Sequence, residues 1–162
     1  MPRRLLSPTE RAEVELVFGA GLDYTRVFVV EDTPFPNRVA DLGRSPKPNA
    51  VTLGNVSYFP HRLHVTEDAL RRGDLREIAW LIHEVTHQWQ FQRLGWRYLT
   101  SALWTQLTLG QKGYHYELQA GRPLAGYNME QQADIARDYY TALKRGQDIS
   151  AWAPLVAEFR KA

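Results

Sequence analysis

The 162-residue chain holds 44% hydrophobic and 23% charged residues, the composition of a globular domain able to bury a core rather than of a disordered segment. Lys and Arg number 20 against 18 Asp and Glu, and the resulting net charge of +2 is too small to point to nucleic acid or an anionic membrane as partner. Cysteine is absent, which excludes disulfides, thiolate-held metals and thiol catalysis, so a metal would have to be held by His, Asp or Glu. No apolar run reaches membrane-spanning length, and MPRRLLSPTE lacks a signal-peptide core. The expected location is the cytoplasm, or outside it by export without a cleaved signal. With no repeat, low-complexity tract or linker, residues 1–162 read as one domain.

Ser7-Pro8-Thr9-Glu10 reads as a capping box with Pro at the first helical position, opening a helix that Gly19 or Gly21 ends. Tyr24 to Glu31 is rich in β-branched and aromatic residues and predicts a strand. Residues 32–50 hold four prolines and predict a long loop with a short element around Val39. Ala50 to Phe59 is again β-rich, with Gly54-Asn55 as either a hairpin turn or a bulge. Asp74 with Glu77 predicts a second capping box, ahead of a helix from Leu75 to Leu94 about 30 Å long and stopped by Gly95. Leu75, Ile78, Ile82, Val85 and Trp89 give it a buried stripe, which places it through the middle of the domain. A shorter helix over 101–109 and a strand at Tyr114 to Leu118 follow. Asn128 with Gln131 caps a helix ending near Gly146, and Ser150 caps a last one bearing Trp152, Leu155, Val156 and Phe159.

The central helix contains His83-Glu84-Val85-Thr86-His87. Residues four apart share a helical face, so the two imidazoles can grip one tetrahedral ion. Glu84, turned about 100° from His83, is offset from that ligand set but close enough to reach a water beside it. This is the zinc-metalloprotease motif, and random placement of this chain's 5 His and 10 Glu yields it roughly 0.01 times. Two histidines and a glutamate on a buried helix would also be costly to desolvate without an ion. A catalytic zinc needs a third protein ligand, and the downstream candidates are His115, Glu117, Glu130, Asp134 and Asp138. Glu130 is favoured because it opens the Asn128-capped helix. Asp134, one turn on, can then accept a free ring N–H from His83 or His87 and orient it.

His83-Glu84-x-x-His87 followed by Glu130-x-x-x-Asp134 resembles the gluzincin branch of zinc peptidases. More closely, LIHEVTHQWQ at 81–90, the Ala50 to Asn55 segment and YNMEQQADIARDYY at 127–140 are similar to small Vgr-related zincins encoded near contractile-injection genes. The resemblance covers roughly residues 50–140. It implies an α+β, zincin-like fold: a long central HExxH helix packed on a small β-sheet, with a second helix carrying the third ligand. It also implies Zn2+ on His83, His87 and Glu130, with Glu84 as catalytic base and acid. One departure from the best-known gluzincins is Asn128, which stands two residues before Glu130 instead of beside it.

Zinc brings a water toward a pKa of about 7, Glu84 takes its proton, and a further donor steadies the developing oxyanion. Tyr114 and His115 lead the candidates for that donor, ahead of Tyr116, Tyr127 and Tyr139. The partner is then a peptide or protein substrate, with secretion-system components as a further class. The alternative from another class is a non-catalytic or structural zinc-binding accessory protein of a secretion or injection apparatus, since the chain is short for a protease. His61-x-x-His64 follows Pro60 in a predicted loop and is discounted as a second metal site, and Trp80, Trp89, Trp96 and Trp104 read as core.

Overall fold

The computed structural model describes residues 2–36, 38, 49–95 and 115–162. Among these, strand β1 (Arg4–Leu5) precedes helix α1 (Pro8–Phe18), then come β2 (Phe28–Val30), the hairpin β3 (Val51–Leu53) and β4 (Val56–Tyr58), and the short α2 (Glu67–Arg71). The central helix α3 (Arg76–Leu94), then α4 (Met129–Lys144) and α5 (Ala153–Phe159), complete the order. The strands form one sheet in the order β1-β2-β4-β3, with β2 and β4 parallel and the outer pairs antiparallel. The edge strand β3 is joined to β4 by the Gly54-Asn55 turn, so the hairpin reading is correct and the bulge is not. Gly54 has φ +63°, a conformation a side chain would strain.

Local chemistry explains most boundaries and some departures. Ser7 and Glu10 form the reciprocal capping box of α1, and Asn128 and Gln131 do the same for α4. The box expected at Asp74 and Glu77 does not form. Asp74 instead holds Arg76, and the Glu77 carboxylate turns back to the His64 backbone N–H and to His61 Nε2, 3.2 Å away. Ser150 likewise does not cap the last helix, which begins at Ala153 after Trp152 without a side-chain cap. The strand expected from Tyr24 is shortened, because Asp23 accepts the Thr25 N–H and winds Tyr24–Arg26 into a 3-10 turn. Residues 115–118 are irregular rather than a strand. The helix expected over 101–109, the element around Val39, Tyr114, Trp96 and Trp104 lie outside the described residues.

The core lies between α1, the sheet, α3, α4 and α5, and includes Phe18, Val29, Ile78, Leu81, Ile82, Val85, Ile135, Tyr140 and Phe159. Burying each such side chain contributes about 1.5–3 kcal/mol. Close approach at the C-terminal end requires Gly21, where an added Cβ would stand 1.9 Å from the Phe159 carbonyl oxygen. Helix α3 is buried on several faces at once, and its buried polar residues sort by direction. Glu84 and Gln88, one turn apart, bond to the hairpin; His83, His87 and Gln90 face α4. No helix among the described residues is long and apolar enough to cross a membrane.

Candidate metal centre

Helices α3 and α4 pack side by side, and the first turn of α4 faces the middle of α3. The i, i+4 spacing sets the His83 and His87 rings with centroids 5.1 Å apart and planes at 84°. Glu130, in the first turn of α4, places Oε2 at 3.4 Å from His83 Nε2 and 3.5 Å from His87 Nε2. The ligating atoms of all three residues lie within 4.8 Å of one another. Tetrahedral bonds of about 2.0–2.1 Å separate neighbouring ligand atoms by about 3.4 Å, so these donors are spaced for one zinc-sized ion. Two imidazoles and a carboxylate also suit zinc better than calcium or magnesium, which take oxygen donors.

The rings are oriented from behind. His87 Nδ1 lies 2.9 Å from Gln90 Oε1, which can only accept, so Nδ1 carries a proton and Nε2 is the atom turned toward Glu130. Gln90 is fixed in turn, because its Nε2 donates to the Met129 carbonyl at 2.9 Å and to Gln132 Oε1 at 3.0 Å. His83 Nδ1 lies 3.1 Å from Asp134 Oδ1 without meeting the geometry of a hydrogen bond. Asp134 is itself held by Arg137 at 2.5 Å. The sequence reading anticipated Asp134 behind a ring but not Gln90.

Electrostatics point the same way. Burial works to depress both imidazoles, yet Asp134 and Glu130 outweigh it and push His83 up to about 10, and Glu130 raises His87 as well. Burial opposes ionisation of Glu130, but the two histidines hold its carboxyl well below the usual range. The cluster thus draws positive charge into a buried place, either as protons or as a metal cation.

Glu84 is held on the hairpin side, where Thr52 Oγ1 donates to its Oε2 at 2.7 Å, and its charge also acts on His83 and His87. Glu84 lines, with His83, a cleft of about 670 Å³ that also meets Trp80, Arg137 and Thr141. His115 is exposed and lines a separate depression with Tyr116, Asp134 and Trp152, so His83 and Glu84 do not share a cleft wall with it. The Tyr116 hydroxyl donates to Asp138, that of Tyr127 bonds the 117–119 backbone, and that of Tyr139 accepts from Arg160. His61 pairs with Glu77 and stacks obliquely on Trp80, away from the triad.

No protein-family model matches the chain. It is 34% identical over 144 residues, 85% of its own length, to the type VI secretion system spike protein VgrG2b of Pseudomonas aeruginosa. It spans 13% of that protein. The solved effector domain of VgrG2b superposes with a TM-score of 0.67 at 31% identity, over 94% of this chain and 83% of that one. The chain is therefore Vgr-related and belongs to the family of the VgrG2b effector domain.

Proposed function

We propose that this chain is a secretion-system effector domain of zincin-like architecture that hydrolyses peptide bonds with zinc. The observation that carries the reading is the convergence of His83, His87 and Glu130 on one point beside a cleft that Glu84 lines. His83, His87 and Glu130 would hold the zinc, which when bound would supply a Lewis acid and lower the pKa of a neighbouring water toward neutrality. Every other step falls to the chain's own groups. Gln90 fixes the His87 ring and Asp134 stands behind the His83 ring, so that both Nε2 atoms turn to Glu130. Glu84 accepts the water's proton as the carbonyl is attacked and returns it to the departing amine. Among the described residues β3 is an edge strand, it adjoins Glu84 through Thr52, and strand addition by an extended peptide on that edge would bring the peptide beside the cleft.

The relationship to a spike-protein domain also supports a second reading, in which the same metal site only stabilises an accessory module of an injection apparatus. Zinc-loaded chain and Glu84→Gln, each incubated with fluorescein-labelled casein and a peptide library, separate the two. Under the first reading the wild-type chain cleaves and the variant keeps one zinc while losing about 10²–10⁴-fold in rate. Equal digestion by both proteins, or none by the wild type with zinc in place, would remove the peptidase and leave the accessory role. Failure to take up zinc at all would remove both.

A further inference from the structure

Gln88, Ser57 and Thr52 are buried polar residues with no part in the metal triad, and they form a continuous chain that ends on Glu84. Gln88 Nε2 donates to Ser57 Oγ at 2.7 Å, Ser57 Oγ lies 2.7 Å from Thr52 Oγ1, and Thr52 Oγ1 is 2.7 Å from Glu84 Oε2. The two ends of the chain orient the hydroxyls between them. The amide of Gln88 cannot be turned over, because Nε2 donates to the Phe28 carbonyl at 3.0 Å while Oε1 accepts the Phe28 N–H at 3.3 Å. Thr52 Oγ1 has two acceptors on Glu84, the backbone carbonyl at 3.3 Å and Oε2 at 2.7 Å, and as a carboxylate Glu84 takes the hydroxyl proton through the shorter contact. Ser57 must then donate to Thr52, having already accepted from Gln88. Ser57 and Gln88 are 0% exposed, Glu84 5% and Thr52 8%, so water does not compete along the line. The backbone sustains the alignment: Thr52 faces Ser57 in the hairpin register, and Gln88 lies one turn after Glu84 on the same face of α3.

Resting on the peptidase reading, we infer that Thr52 is a positioning residue for Glu84: the hydroxyl relay from Gln88 through Ser57 occupies Glu84 Oε2 and leaves Oε1 as the oxygen presented to the cleft. A carboxylate held by one oxygen on the sheet side cannot rotate freely. Its proton transfer is confined to one oxygen and one direction, which is what positioned acid–base chemistry requires. The hairpin therefore has a second task besides offering an edge.

Two readouts test this in the full-length chain. In metal-free protein labelled with ¹³C at glutamate carboxyls, the infrared difference between wild type and Glu84→Gln isolates the Glu84 carboxylate. Thr52→Val should narrow the separation of its antisymmetric and symmetric stretches, and Thr52→Ser should restore it. In zinc-loaded protein acting on fluorescein-labelled casein, Thr52→Val should lower kcat about 10-fold or more, with KM within about twofold and one zinc retained. Thr52→Ser should recover at least half of kcat, and Ser57→Ala should fall between. An unchanged carboxylate spectrum and kcat in Thr52→Val would overturn the inference while leaving a Glu84-dependent peptidase intact. Equal losses in Thr52→Val and Thr52→Ser would overturn it too, by assigning the effect to packing. Wild-type protein that takes up zinc but does not hydrolyse casein or a peptide library would overturn the peptidase reading, and this inference with it.

Discussion

Gln90 is 1% exposed, yet it decides which nitrogen of His87 turns toward Glu130. Its carbonyl accepts the Nδ1 proton and its amide is pinned to α4 by Met129 and Gln132. Groups in this position behind a metal-held imidazole are worth about 10–100-fold in metal affinity. Gln90→Leu should therefore weaken zinc binding by about that factor in competition with a chromophoric chelator, and unchanged affinity would remove Gln90 from the site. The motif itself was legible because four-residue spacing on one helix is a local property. Glu130 was legible because an N-cap and a first-turn acid are local as well. Thr52 was not, because Glu84 lies 32 positions away, and Gln90 was not, because the bond to Gln132 that fixes its amide behind His87 spans 42 positions. Of the oxyanion-donor candidates Tyr114 and His115, Tyr114 lies outside the described residues, and His115 lines a depression that His83 and Glu84 do not line.

At the scale of elements, the site depends on where α4 begins. Asn128 accepts the Gln131 N–H at 2.9 Å while the Gln131 side chain returns to the Asn128 N–H, and this lock stands two residues before Glu130. Asn128→Ala should cost about 1 kcal/mol of stability in urea titration. Because the first turn would fray around a ligand, zinc binding should weaken too. Loss of stability with undiminished zinc affinity would show that the cap and the ligand are independent. Helix starts were read well where a side chain reached its own backbone, as at Ser7 and Asn128, and badly where a distant group intervened. Glu77 is the instructive miss: its spacing from Asp74 suits a capping box, but the His61–His64 loop packs over it and takes its carboxylate.

Across the molecule, the sheet is tied to α1 through Arg4. Its guanidinium donates to both oxygens of Glu10 at 2.6 and 2.8 Å and to both of Glu31 at 2.9 and 2.7 Å. Burial favours neutral Glu31, but the bonds from Arg4 and from the Leu63 N–H prevail and hold its carboxyl below the usual range. A depressed carboxyl stabilises the fold above its unfolded pKa of about 4.5, and that contribution disappears as pH falls through the lower folded value. Arg4→Met should cost about 2 kcal/mol at pH 7, where two carboxylates lose their partner, a figure kept low because Arg4 is partly exposed. The gap between variant and wild type should shrink toward pH 3 in urea titrations, and a gap that stayed constant would contradict the assignment. Such long-range ties, like the order β1-β2-β4-β3, join segments far apart in the chain, so periodicity and turn chemistry did not reveal them.

The most direct test of the proposed metal centre is zinc-edge X-ray absorption on the zinc-loaded chain, with His83→Ala and Glu130→Ala alongside. The arrangement of His83, His87 and Glu130 predicts one zinc per chain, a first shell of nitrogen and oxygen at about 2.0–2.1 Å, and outer scattering from two imidazoles that falls to one in His83→Ala. A shell of six oxygens without imidazole scattering, or a spectrum identical in all three proteins, would contradict it.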